Sequence, residues 1–253
     1  MKTKTTSRIL AAALALGLVP GWANAAARPR PEKARPILMV VTSHGTFPSS
    51  GKKTGLWLEE FAVPYRIFSE AGHEVTVASP QGGAAPIDPR SLEPDALPEN
   101  ADEARKILQD TVVLGEVDLS GHAAVFFAGG HGTMFDFPDN PPVQETVEYF
   151  WRNKRPLGLV CHGPAALVGA HAADGSTPLV AGRKVAAFTN DEERAVGLEK
   201  AVPFLLQTKL ETLGAEVATA DPFMEQTVAD GYLVTGQNPA SSAQTARRLL
   251  EQL

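Results

Sequence analysis

The sequence holds a single cysteine, Cys161, in 253 residues. One thiol excludes an intramolecular disulfide, so the fold must be held by its apolar core. The apolar stretch over 9–19 is too short to span a bilayer. No GxGxxG follows the first strand-like run and no P-loop occurs, so nucleotide binding has no support. No paired-histidine metal motif appears, and His44 beside a glutamate is read as a capping or core histidine rather than a ligand. Basic residues are in deficit, with 23 Lys+Arg against 29 Asp+Glu and a net charge of −6. An acidic surface argues against nucleic acid and anionic membranes as partners. Repeats and low-complexity tracts are also missing.

What is present begins with an export-like leader. Lys2, Lys4 and Arg8 precede the apolar 9–19 run, then Pro20, Gly21 and the small residues of Ala23-Asn24-Ala25. This is the pattern of a secretory signal over 1–25, cleaved after Ala25. It implies an exported protein, periplasmic or secreted, with no membrane contact after cleavage. Residues 26–35 read as a flexible polar lead-in and 36–253 as one domain. With 43% hydrophobic and 21% charged residues the chain can bury a sizeable core.

Continuous apolar runs alternate with helical spacing. Strands are predicted over 37–42, 74–78, 124–128, 157–160, 184–188, 216–219 and 232–235. Helices are predicted over 56–70, 102–109, 143–152, 164–170 and 202–213, with a last one opening at 238–242. Pro64 is expected to kink the first helix. The Pro/Gly/Asp-rich stretch over 80–100 is expected to be a functional or lid-like loop. This order predicts an α/β fold with a mostly parallel sheet covered on both faces. Ligands in such folds gather at the carboxyl ends of the strands. His44, Gly129-Gly130-His131, Cys161-His162 and the 189–193 loop all fall there.

Cys161 stands where an apolar strand enters Gly163-Pro164. A thiol at such a strand-to-helix turn faces a helix N-terminus, which lowers its pKa and makes it a nucleophile. His162 is the adjacent base, and it needs a carboxylate to orient it. Glu192 and Glu193 after the next strand, and Glu59 and Glu60 on the first helix, are candidates. A glutamate held against the thiol in a tight pocket would be protonated and could donate to the thiolate. Gly129-Gly130 suits an oxyanion hole completed by the backbone N–H after the nucleophile.

Ala128-Gly129-Gly130-His131-Gly132, Val160-Cys161-His162-Gly163-Pro164-Ala165-Ala166 and Thr235-Gly236-Gln237-Asn238-Pro239 resemble the ThiJ/PfpI superfamily. Thr54-Gly55 to Tyr65 and Phe188-Thr189-Asn190-Asp191-Glu192-Glu193 are similar to its heat-shock chaperone and glyoxalase III branch. The resemblance implies a flavodoxin-like three-layer sandwich with a nucleophile elbow. It implies Cys161 as nucleophile, His162 as base, Glu193 as triad acid with Glu192 the alternative, and Glu60 facing the thiol. His131 lines the pocket. It further implies a cofactor-free and metal-free lyase that converts methylglyoxal, a small 2-oxoaldehyde, to lactate through a cysteine hemithioacetal. A homodimer is left open.

Two other readings stand beside this one. A holdase chaperone or oxidative-stress sensor would use exposed apolar surface or sulfenic chemistry at Cys161. A cysteine amidase or peptidase would share the superfamily. A glutamine amidotransferase needs a histidine well downstream of the cysteine with a glutamate close behind it. The last histidine is His171, so that reading fails.

Overall fold

The computed structural model describes Met1 and residues 35–253, and apart from Met1 and Arg35 the expected leader and lead-in lie outside them. The first apolar run forms β1 (Ile37–Val40), every residue of it fully buried. Helix α1 (Leu58–Glu70) follows, with Pro64 inside it. Then come β2 (Val75–Ser79), α2 (Ala101–Ile107), β3 (Val112–Val113) and β4 (Ala124–Phe127). A single helical turn, α3 (Thr133–Asp136), leads to α4 (Pro141–Arg152) and β5 (Leu157–Val160). The remaining elements are β6 (Lys184–Val185), α5 (Asn190–Ala195), α6 (Leu206–Thr212), β7 (Glu216–Val217), β8 (Thr227–Asp230), β9 (Leu233–Gly236) and α7 (Ser242–Leu250).

Seven strands form one sheet in the order β3-β2-β1-β4-β5-β9-β8. All neighbours run parallel except β8, which pairs antiparallel with β9. This is the expected α/β arrangement, a parallel sheet with helices on both faces. The period of two along each strand explains the two layers. Leu38, Val40, Val125, Phe127, Leu157 and Leu159 face α4 and α6. Ile37, Met39, Phe126 and Val160 face α1, α2 and α7, meeting Phe61, Phe68 and Leu249. Burying each such side chain contributes roughly 1.5–3 kcal/mol.

The strand order reverses direction at β1 and β4. A crevice therefore opens at their carboxyl ends.

Several elements differ from expectation. The segment predicted as a helix over 164–170 is a five-residue 3-10 turn (Gly163–Leu167), because the chain must reverse at Gly169, whose φ is +89°. The strand predicted over 184–188 pairs only at β6, with β7, in a separate two-stranded sheet. Beyond it Ala186 N–H donates to the Thr235 hydroxyl and Phe188 N–H to the Cys161 carbonyl, so the chain leaves the ladder to wall the turn. The expected loop over 189–193 is the start of α5. Thr189 accepts from Glu192 N–H, and the Glu192 carboxylate accepts from Thr189 N–H, a reciprocal cap that the sequence pattern carried. The 80–100 stretch is not a lid. Leu56 N–H donates to Pro86 O, Asp88 N–H to Leu56 O and Ala85 N–H to Leu108 O, which fasten it to the body. It carries two short 3-10 turns, Pro89–Leu92 and Pro94–Ala96. The C-terminal helix begins at Ser242 rather than at Asn238, and Ser241 makes no side-chain cap.

Candidate active site

Cys161 directly follows β5 and has φ +59°, a left-handed conformation unusual for a residue with a Cβ. Cys161 N–H donates to Gly236 O at 2.9 Å, and its own carbonyl accepts from Phe188 N–H at 2.9 Å. These bonds hold the strained turn. Its close packing also explains two glycines. A Cβ at Gly163 would lie 2.4 Å from Phe127 O, and one at Gly129 would lie 2.6 Å from a Glu60 carboxylate oxygen.

Sulfur Sγ lies 3.2 Å from His162 Nδ1. On the far side of that ring, Nε2 lies 2.9 Å from Glu193 Oε2. An ionised carboxylate only accepts, so the Nε2 proton is fixed there and Nδ1 keeps its lone pair towards the sulfur. Phe188 packs on the His162 ring, with centroids 4.4 Å apart. Of the two adjacent glutamates, it is Glu193 that meets the imidazole. Glu192 turns the other way and accepts from Phe223 N–H, Gln237 Nε2 and Asn238 Nδ2 besides its cap. That contact also gives the Gln237-Asn238 motif its structural reason.

His131 does more than line the pocket. Its Nε2 lies 2.9 Å from Glu193 Oε1, so one carboxylate holds two imidazoles. Its Nδ1 lies 3.1 Å from Arg90 Nη2. A guanidinium only donates, so Nδ1 accepts and the proton sits on Nε2, aimed at Glu193. Arg90 is gripped in turn by buried Asp88, through Nε at 3.0 Å and Nη2 at 2.6 Å. Thr54 donates its hydroxyl to the same aspartate. Burial, then repulsion from His162, pushes the His131 pKa down to about 4. Burial opposes the charge on Glu193, but the electrostatics of His162 and the hydrogen bonds from both rings outweigh it and hold its pKa well below the usual range.

Glu60 is fully buried on the first turn of α1. Its Oε2 accepts from Gly129 N–H at 2.9 Å, while Oε1 has no hydrogen-bond partner among the described residues. The carboxyl and the Cys161 thiol line the same cavity. Burial raises the Glu60 pKa well above its usual value, which favours the neutral carboxyl. The thiol pKa is likewise raised, by burial first and then by its neighbour Glu60. This corrects the expectation of a thiol acidified by a helix N-terminus, since the following element is the short 3-10 turn. The expected use of Gly129 as an oxyanion donor is corrected too, because its N–H is taken by Glu60. Gly130 N–H, at φ +96°, has no acceptor among the described residues. Glu59 does not share this pocket.

Trp57, Glu60, Arg90, Gly130, Cys161 and His162 bound a cavity of about 310 Å³ that is also lined by Phe188, Val196 and Phe223. Among the described residues, His131, His162 and Glu193 are the one group with metal-ligand spacing, their ligand atoms within 4.8 Å. Both nitrogens facing Glu193 carry protons in the arrangement above, which satisfies the set without an ion. His44 lies apart, stacked on Phe135 with its Nε2 on Thr46 O. Sequence reasoning missed Arg90 and Asp88. Thr54 lay in the quoted Thr-Gly pattern, but its partner stands 34 residues away.

The DJ-1/PfpI family profile matches residues 54–252. The glutathione-independent glyoxalase hsp3101 of Schizosaccharomyces pombe is 32% identical over 231 residues, 85% of this chain and 94% of its own length. The glutathione-independent glyoxalase HSP31 of Saccharomyces cerevisiae is 31% identical, covering 86% of this chain and 97% of the relative. The crystal structure of glyoxalase III from Candida albicans superposes with a TM-score of 0.80 at 28% identity, over 88% of this chain and 98% of that one. The similarity to these yeast glyoxalases overturns the expected periplasmic or secreted location. The leader on which that expectation rested lies outside the described residues.

Proposed function

The chain belongs to the DJ-1/PfpI family, and we propose that it is a glutathione-independent glyoxalase acting on methylglyoxal and related small 2-oxoaldehydes. The observation that carries this reading is the Cys161 sulfur, 3.2 Å from His162 Nδ1 and lining one largely apolar cavity together with the buried Glu60 carboxyl.

His162 Nδ1 takes the thiol proton as sulfur adds to the aldehyde carbon, giving a hemithioacetal. A thiol kept neutral until the substrate arrives suits this order, because proton removal and carbon–sulfur bond formation proceed together. The hydroxyl of the adduct and the neighbouring ketone sit on the same carbon pair. A base removes the remaining hydrogen of the former aldehyde carbon as a proton. That proton is returned to the former ketone carbon. The aldehyde carbon is thereby oxidised to a thioester and the ketone reduced to an alcohol, with no external electron acceptor. Water then cleaves the thioester to lactate and regenerates the thiol. Glu60, protonated at Oε1, supplies a hydrogen bond to the sulfur and a proton to the enediol oxygens. Glu193 stabilises the His162 imidazolium, and His131 holds Glu193. We assign reception of the developing oxyanion to Gly130 N–H, which has no acceptor of its own among the described residues.

The test is direct. Purified protein incubated with methylglyoxal without thiol additives should form lactate, read by NMR. Cys161→Ala should abolish it. Retained lactate formation in that variant would remove the cysteine mechanism.

A further inference from the structure

A second cavity, of about 550 Å³, adjoins the first and shares Arg90 and Val196 with it. Lys52, Lys53 and Lys200 line it, with the hydroxyl residues Ser49 and Ser50. We propose that this cavity is a vestibule for an anionic tail, so that the preferred substrates are 2-oxoaldehydes bearing a phosphate or carboxylate at the far end. This inference rests on the glyoxalase reading.

Charge carries the first part of the argument. The chain is acidic overall, with a net charge of −6, yet this cavity collects three lysines and one arginine. Its only acid is Asp88, which the Arg90 guanidinium already neutralises. None of the three lysines has a carboxylate within ion-pair distance among the described residues, whereas Lys184 elsewhere has Glu216. Glu199, next to Lys200, does not line the cavity. Unpaired cations at the mouth of a low-dielectric cleft raise the local concentration of anions and speed their capture.

Topology carries the second part. Lys52 and Lys53 stand on the turn closed by Phe47 N–H to Lys52 O, and Lys200 follows α5. Both segments flank Arg90, whose own turn reaches the catalytic histidines through His131. The inner cavity is lined largely by apolar side chains, Trp57, Phe188, Val196, Phe223 and Pro239, and suits the uncharged reacting end. Its 310 Å³ already exceeds what a three-carbon oxoaldehyde needs, since cavities from about 300 Å³ upwards hold far larger ligands. An elongated substrate with an uncharged head and an anionic tail fits both cavities at once.

The experiment compares methylglyoxal, hydroxypyruvaldehyde phosphate and dioxovalerate, whose tails are neutral, phosphate and carboxylate. The wild type and a Lys52→Gln/Lys53→Gln/Lys200→Gln variant are assayed at low and high salt. We expect kcat/KM for at least one anionic substrate to exceed that for methylglyoxal about tenfold or more, an advantage lost in the variant and at high salt. The methylglyoxal rate should stay within about twofold. The better of the two tails identifies the anion. Anionic substrates no better than methylglyoxal, or an advantage that survives the variant, would overturn the vestibule. If no oxoaldehyde is turned over, the glyoxalase reading fails separately. The vestibule is then judged by calorimetric binding of phosphoglycerate: binding lost in the variant upholds it, and absent or unchanged binding sinks it.

Discussion

Glu193 places one negative charge between two imidazoles, and the two rings differ in what stands behind them. Behind His162 is a thiol that must give up its proton. Behind His131 is the permanent cation of Arg90, which adds to burial in keeping that ring neutral and leaves its Nε2 donating to Glu193. The His131 pKa of about 4 has a consequence for stability. Its value in the unfolded chain is near 6.5, so between these pH values the unfolded state binds a proton that the native state refuses. Stability is therefore lost as pH falls from about 6.5 to 4, by up to roughly 3 kcal/mol from this residue. Urea denaturation across that range should show a loss in the wild type that His131→Asn largely lacks. Asp136, whose pKa burial raises to about 6, acts in the opposite sense but is common to both proteins and cancels in the comparison. Glu60 gives a second residue-scale prediction. Glu60→Ala removes the donor to sulfur and should lower kcat/KM about 100-fold, a usual range for a positioned proton donor. Glu60→Gln keeps an N–H donor and should retain a more acidic thiol than Glu60→Ala, read from the pH dependence of alkylation. An unchanged thiol pKa in both variants would show that Glu60 does not act on Cys161.

At the scale of the element, α5 decides which glutamate reaches the site. Thr189 and Glu192 close the first turn on each other, and this rotation directs Glu193 towards the histidines. Losing such a cap costs about 1 kcal/mol of stability. Thr189→Ala should thus lower Tm only slightly while cutting kcat several-fold, because Glu193 loses its fixed direction. A fall in Tm with kcat unchanged would make the cap purely structural. The turn after β5 shows the same coupling of local geometry to chemistry. Its 3-10 form offers too little helix to acidify a thiol, so activation falls to the side chains around it. The 80–100 segment is fastened by backbone bonds and delivers Arg90 to the cavity wall, which gives that long connection a fixed position rather than a moving one.

At the scale of the whole molecule, one sheet with two apolar faces supports a site made of residues from 54 to 193. Leu249 on α7 is fully buried and packs near Gly158 of β5, below the site rather than in it. Leu249→Ala should cost about 2–5 kcal/mol. Tm should fall by roughly 4–20 °C at this chain length, with activity per folded molecule unchanged at low temperature. The sequence by itself determined the alternation of strands and helices, the turn at Cys161-His162 and the short list of acidic partners, because those rest on spacing within a few residues. It could not separate Glu192 from Glu193, since adjacent side chains are told apart only by the rotation of their helix. It could not foresee the raised thiol pKa, which depends on burial and on Glu60 arriving from another element. Arg90, Asp88 and the grouping of Lys52 and Lys53 with Lys200 were equally out of its reach. Those contacts join distant segments, and only the packing of the tertiary structure decides which distant segments meet.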